Sequence, residues 1–134
     1  MKHDKLHHYG LATKSIDDGV KLFLLMGYSV TSEKIIDNIQ KVEILFLQKN
    51  SDHFIELIAP LDGVHGPITQ ILNKIGASVY HICYEVKDID ISIIEYKKAG
   101  FSIIMKPTPA IAFNYKKICF LYSSCIGLIE LVEV

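Results

Sequence analysis

The sequence repeats one pattern twice, and this repeat restricts the folds that are open to the chain. His8 begins an apolar run that leads into an amphipathic segment ending at Gly27. His81 begins a second such run, which ends at Gly100 with the same spacing. Two similar units of this length are each too small to bury an apolar face alone. We therefore expect two related halves that share a core.

Each half also closes on an acid inside an apolar run, namely Glu56 and Glu130. A carboxylate among apolar side chains is costly unless it is paired, protonated or bound to a metal. The alternative is that each acid lies on the solvent face of an amphipathic strand. Each acid follows its histidine at nearly the same distance, which favours convergence of all four side chains about a pseudo-two-fold axis.

Two imidazoles and two carboxylates suit a divalent transition metal such as Ni, Co, Zn or Mn. The predicted ligands are thus His8, Glu56, His81 and Glu130, although a strand histidine can equally be an ordinary hydrogen-bonding partner. His7 should point to the opposite face from His8, because side chains alternate along a strand. The histidines without a repeat partner are expected on the surface; they are His3, His53 and His65.

Composition narrows the functional classes. The net charge is −1 over 134 residues and no basic block occurs, so nucleic acid is not an expected partner. No apolar run is long enough to span a membrane, and no signal-peptide core follows Met1. The three cysteines form no CxxC pair and lie in apolar runs, which indicates reduced core thiols and a cytoplasmic protein.

The hydrophobic pattern predicts strand-helix-strand-strand-strand in each half. Ser15 and Asp88 are candidate helix N-caps, and the two helices should end at Gly27 and Gly100. The first half should continue with strands at residues 29–36, 42–47 and 54–59. We expect an α+β fold in which two βαβββ modules form a curled, mixed or antiparallel sheet around a cleft, with helices outside.

One domain should therefore cover residues 1–134. Its first module is expected at residues 6–60 and its second module at residues 79–134. A linker at residues 61–78 should contain a short helix that begins at Pro67.

Four segments carry a resemblance to the vicinal oxygen chelate superfamily, namely residues 6–12, 55–60, 80–86 and 127–131. Within it the chain is most similar to methylmalonyl-CoA epimerases and to small bacterial glyoxalase I-like proteins. In that family the metal ligands stand at the positions of His8, Glu56, His81 and Glu130. The resemblance also implies that Glu130 and Glu43 are the two catalytic bases of an epimerase, and the alternative for Glu43 is a solvent-facing position in the strand at residues 41–47.

The implied reaction is proton abstraction next to a thioester or keto carbonyl, with a metal-stabilised enediolate. Return of the proton to the opposite face epimerises the carbon, as in methylmalonyl-CoA epimerase. Return to the neighbouring carbon isomerises a hemithioacetal, as in glyoxalase I (lactoylglutathione lyase). The expected substrate is accordingly an acyl-CoA or a thiol adduct.

Three alternatives stay open. The superfamily includes metal-free proteins that sequester drugs, but these tend to lack the complete His/Glu set. Extradiol dioxygenases use two histidines and one carboxylate, so Glu56 argues against them; fosfomycin-modifying enzymes are a further metal-dependent possibility.

A symmetric homodimer is the expected solution state.

Overall fold

The computed structural model describes residues 1–134 and contains nine strands, three α helices and one 3-10 helix. The strands are β1 (Lys5–Ala12), β2 (Ser29–Val30), β3 (Ile35–Asp37), β4 (Val42–Gln48), β5 (Phe54–Pro60), β6 (Ser78–Val86), β7 (Ser102–Pro109), β8 (Lys117–Ser123) and β9 (Gly127–Glu133). The helices are α1 (Ile16–Leu25), α2 (Pro67–Lys74) and α3 (Ile89–Lys98), and the 3-10 helix spans Ile111–Phe113.

The repeat extends to the local conformation of α1 and α3. Both helices have ten residues, and their N-caps are the predicted Ser15 and Asp88. Each cap side chain accepts a hydrogen bond from the backbone N–H three residues later, at 3.2 and 3.0 Å. Each helix is followed by a glycine with positive φ, 91° at Gly27 and 97° at Gly100, a conformation that glycine adopts without steric cost.

The chain divides into two compact units, and the divisions fall within β1 and within β6. In the unit Tyr9–Tyr80 the strand order is β2-β4-β5-β1, and β3 also pairs with β4. Helix α1 packs on one face of this sheet, where Leu45, Leu47 and Leu57 are buried against Ile16. Helix α2 belongs to the same unit and begins at Pro67 as predicted.

The second unit consists of Met1–His8 and His81–Val134. Its strand order is β1-β6-β9-β8-β7, in which β6 and β9 are parallel and the pairs β9-β8 and β8-β7 are antiparallel. Helix α3 packs on the face that carries Ile129 and Leu131. The predicted α+β class, with mixed strand pairing and helices covering one sheet face, is confirmed. The module boundaries at residues 6–60 and 79–134 stay a prediction.

Two local predictions were wrong. The strand expected at residues 29–36 is divided into β2 and β3, because the Ser32 hydroxyl accepts from the Phe46 N–H and replaces a backbone partner. Cys125 is exposed in the turn between β8 and β9, whereas Cys83 and Cys119 are buried as expected.

Candidate metal centre

Three of the predicted ligands meet in the unit formed by Met1–His8 and His81–Val134. The Nε2 atoms of His8 and His81 are 3.0 Å apart. Oε2 of Glu130 lies 3.2 Å from Nε2 of His8 and 2.9 Å from Nε2 of His81. All three residues are buried, with exposed fractions of 0 to 2%. Two imidazoles and a carboxylate therefore converge on a single point.

The strand register explains how this sequence brings them together. In the parallel pair β6-β9 the partner of Glu130 is Cys83, two residues from His81, so both side chains lie on one sheet face. Ile129 and Leu131 flank Glu130 and point to the other face, against α3. The apolar run around Glu130 is thus a strand in which one face packs against α3 and the opposite face carries this acid.

Glu130 is ionised in these surroundings. Burial alone would raise the pKa of its carboxyl group, but the adjacent imidazoles of His8 and His81 outweigh this effect and lower the pKa to about 2. A buried carboxylate is stable only with such partners. The carboxylate of Glu130 therefore carries its negative charge at neutral pH.

The donor set fits a metal better than it fits hydrogen bonding alone. An imidazole N–H points along one line in the ring plane and donates well to one acceptor. Each of the three atoms, namely the two Nε2 atoms and Oε2 of Glu130, is close to the other two, so hydrogen bonds cannot join all three pairs. A single cation between them would instead be bound by one lone pair from each atom. Metal–ligand bonds of about 2.0–2.2 Å place neighbouring ligands of an octahedron about 3.0 Å apart, which matches the separations of 2.9 to 3.2 Å.

Glu56, the fourth predicted ligand, lies on β5 in the unit Tyr9–Tyr80 and is 3% exposed. Its cross-strand partner is Phe46, and the two lie on the sheet face opposite to α1. Glu130 has the same arrangement in its own unit, where Phe120 is its partner on β8. The repeat thus gives the two acids equivalent surroundings.

Glu43 lies on the other face of β4. Its partner is Ala59, and the register continues without interruption to the pair Phe46 and Glu56. Because Phe46 follows Glu43 by three positions, an odd offset, the two side chains lie on opposite faces, and Glu43 shares the face of Leu45 on which α1 packs. The structure does not bring Glu43 and Glu56 to one face.

Sequence reasoning missed His7. The expectation that it points away from His8 was wrong, because the Nδ1 atoms of the two rings are 2.8 Å apart. The alternation of side chains along a strand determines the direction of each Cα–Cβ bond, but the imidazole ring can still rotate about its side-chain bonds toward a neighbour. The signal in the sequence was the adjacent histidine pair itself. The three histidines expected on the surface are exposed, namely His3, His53 and His65.

Comparison with known proteins identifies the class. The family model of the Glyoxalase/Bleomycin resistance protein/Dioxygenase superfamily matches residues 7–120. The chain belongs to this superfamily, which confirms the resemblance seen in the sequence. An ethylmalonyl-CoA/methylmalonyl-CoA epimerase from Cereibacter sphaeroides is 38% identical over 83 residues, which cover 60% of this chain and 61% of that protein. The match thus spans less than two thirds of the relative's length.

Solved structures share the fold. A hypothetical protein from Bacillus halodurans C-125 is similar with a TM-score of 0.86 and 29% identity, over 98% of this chain and 95% of that one. Methylmalonyl-CoA epimerase from Mycobacterium tuberculosis is similar with a TM-score of 0.83 and 24% identity, over 96% and 86% of the two chains. No helix of the present chain has both the length and the apolar character needed to cross a lipid bilayer.

Proposed function

We propose that this chain is a divalent-metal-dependent enzyme that removes a proton from the carbon next to a carbonyl, most like methylmalonyl-CoA epimerase. The observation that carries the proposal is the buried convergence of His8, His81 and ionised Glu130. His8, Glu56, His81 and Glu130 would hold a Ni, Co, Zn or Mn ion. When bound, the ion polarises the substrate carbonyl and stabilises negative charge on its oxygen.

Glu130 is the proposed general base. It is ionised, and therefore able to accept a proton, and it lies on a strand face whose neighbours include Phe120 and Val132. Apolar neighbours exclude water and strengthen electrostatic interactions within the centre. The two histidines orient the carboxylate through its Oε2 atom.

The proposed substrate class is an acyl-CoA thioester with an acidic C–H beside the carbonyl. The support for this class is the identity of 38% to a protein named for ethylmalonyl-CoA and methylmalonyl-CoA. Epimerisation needs a second acid to return the proton on the opposite face of the carbon. Only the resemblance to the epimerases of this superfamily assigns that role to Glu43.

The position of Glu43 favours a second candidate function, the isomerisation of a hemithioacetal as in glyoxalase I. Glu43 and Glu56 lie on opposite faces of their sheet, so an epimerase base at Glu43 has no support from the strand register. Transfer of a proton between neighbouring carbons needs no second base on the opposite face of the substrate.

Metal content tests the catalytic proposal against metal-free sequestration. Protein purified without chelator should contain about one divalent transition metal ion per chain by inductively coupled plasma mass spectrometry, or should bind one on addition. Glu130→Gln should lose this ion, whereas Glu33→Gln, which changes an exposed acid, should keep it. Protein that neither contains nor binds such an ion would contradict the proposal.

Turnover in D2O separates the two reactions. With one epimer of methylmalonyl-CoA, the metal-loaded protein should both exchange the proton on C2 and invert that carbon. If Glu43 is the second base, Glu43→Gln should keep exchange by Glu130 and lose inversion, and Glu33→Gln should keep both. Turnover of the methylglyoxal–glutathione hemithioacetal, with no exchange into methylmalonyl-CoA, would instead establish the second candidate.

The homodimer expected from the sequence is part of the same proposal. Light scattering coupled to size exclusion should give twice the chain mass of 15.1 kDa. A mass that stays at one chain over a range of protein concentrations would contradict it.

A further inference from the structure

His7 lies beside the proposed metal ligand His8 and contacts it through a ring nitrogen. The two Nδ1 atoms are 2.8 Å apart, and the ring planes are nearly perpendicular at 83°. This distance is that of a good hydrogen bond. A neutral imidazole carries one proton on its two nitrogens, so one of these Nδ1 atoms donates and the other accepts.

The location of that proton determines what His8 can do at its other nitrogen. If Nδ1 of His8 donates to His7, then Nε2 of His8 carries a lone pair, directed toward His81 and Glu130. If His7 donates instead, Nε2 of His8 carries the proton and cannot bind a metal. Metal-ligating histidines almost always donate their other ring N–H to an acceptor, and that acceptor fixes the tautomer and the ring orientation.

Phe113 holds both rings in this arrangement. Its ring meets that of His7 edge to face at a centroid distance of 5.4 Å. It is stacked on the ring of His8 at 6.0 Å, with an interplanar angle of 16°. Phe113 closes the 3-10 helix Ile111–Phe113 and packs against the buried cluster around Cys83 and Ile118. One aromatic side chain therefore restricts the rotation of two imidazoles.

We propose that His7 is a positioning residue: its Nδ1 accepts the Nδ1–H of His8, and this bond selects the His8 tautomer that presents Nε2 to the metal. The inference rests on the proposed metal site, because it concerns the ligand role of His8. His7 itself binds neither metal nor substrate in this arrangement. Its contribution is a lower energetic cost of orienting His8 for binding.

Two isosteric variants isolate the acceptor. Leu and Asn have nearly the same size and shape, and both remove the ring contact with Phe113, but only Asn supplies an oxygen close to where Nδ1 of His7 lies. Zn²⁺ affinity, measured by competition with a chromophoric chelator, should fall about 10- to 100-fold in His7→Leu. His7→Asn should bind Zn²⁺ within a few fold of the unchanged protein. His53→Leu, which replaces an exposed histidine, should bind without change.

Nuclear magnetic resonance on the unchanged protein gives an independent measurement. With ¹⁵N-labelled histidine and Zn²⁺ bound, His8 should carry its proton on Nδ1. A scalar coupling between the Nδ1 nuclei of His7 and His8 should report the hydrogen bond directly. This measurement needs no variant, so it decides the question even if His7→Leu fails to fold.

The outcomes separate this inference from the proposed function. If the unchanged protein binds no divalent metal, the proposed metal site fails, and the inference fails with it. If the unchanged protein binds Zn²⁺ but His7→Leu binds as tightly, the metal site stands and the role of His7 is wrong. Equal losses in His7→Leu and His7→Asn would assign His7 to ring packing and would also overturn the inference.

Discussion

Nε2 of His81 lies 2.9 Å from Oε2 of Glu130, and both residues are 2% exposed. The two residues belong to neighbouring parallel strands, β6 and β9. A contact this short between buried groups links a charged acid to an imidazole that has little access to water. The properties of the candidate centre follow mainly from this pair and from the second imidazole, His8.

Replacement of Glu130 by Gln should separate metal binding from folding. The amide keeps the size of the carboxyl group and can still bond to an imidazole, but it lacks the charge that a divalent ion requires. We expect metal affinity to fall by more than about 100-fold, beyond the effect of losing an outer partner of a ligand. Far-ultraviolet circular dichroism of the apo variant should be unchanged; a loss of folded signal would show that the carboxylate is needed for structure.

Added metal should stabilise the fold. A ligand that binds only the native state at 100 times its dissociation constant contributes about 2.7 kcal/mol. For a chain of this size that corresponds to a rise in Tm of roughly 8 °C. Differential scanning fluorimetry with Zn²⁺, Co²⁺ or Ni²⁺ should show the rise, and a chelator should reverse it. An identical rise in Glu130→Gln would locate the binding elsewhere on the protein.

The apo protein should lose stability in acid through Glu130. The adjacent imidazoles of His8 and His81 outweigh the effect of burial and lower the folded-state pKa to about 2, below the ordinary value of 4.5. The resulting stabilisation is complete above the ordinary value and is lost as the pH falls toward about 2. Urea unfolding between these pH values should therefore show a steeper decline for the unchanged protein than for Glu130→Gln. Parallel declines would mean that other groups dominate.

Thiol reactivity should distinguish the three cysteines. Burial, with a smaller contribution from the charge of Glu130, raises the pKa of Cys119 to about 12, and Cys83 is fully buried. Cys125 is exposed in a turn. Because the thiolate is the reactive form, the native protein at pH 8 should react with about one equivalent of a disulfide reagent, and Cys125→Ser with none. Two or more equivalents in the native state would contradict the burial of the core thiols.

Backbone strain at Lys41 offers a stabilising substitution. Lys41 and Tyr115 have φ angles of 60° and 64°, a left-handed conformation that costs L-residues about 1–2 kcal/mol. Glycine removes this cost but loses about 0.5–1 kcal/mol in conformational entropy. Lys41→Gly and Tyr115→Gly should each raise the free energy of unfolding, by up to about 1 kcal/mol. Destabilisation in both variants would show that side-chain contacts outweigh the backbone term.

The repeat was the part of the structure that the sequence predicted best. Paired histidines, paired acids, N-caps at Ser15 and Asp88 and glycines after both helices follow from spacing and local preference, and the structure has them where expected. These features are determined by residues that are close to each other in the sequence, so they can be predicted from the sequence without knowledge of the fold. The convergence of His8, His81 and Glu130 could be predicted because each acid follows its histidine at nearly the same spacing in the two halves.

The predictions that were wrong depended on details that spacing does not contain. Ser32 divides the expected second strand with a side-chain hydrogen bond to a residue on another strand. The face of Glu43 depends on an exact register with β5, in which a shift of one residue reverses inward and outward positions. The contact between His7 and His8 depends on side-chain rotation, and Phe113, which limits that rotation, is distant in sequence.

The unit that holds His8, His81 and Glu130 is discontinuous in sequence, since it joins Met1–His8 to His81–Val134. During translation His8 is synthesised well before His81, and Glu130, the acid that charges the centre, is synthesised last of the three. A nascent or prematurely terminated polypeptide that stops before β9 carries both imidazoles without their carboxylate. If the centre binds an ion as proposed, a chain that ends before β9 should remain metal-poor.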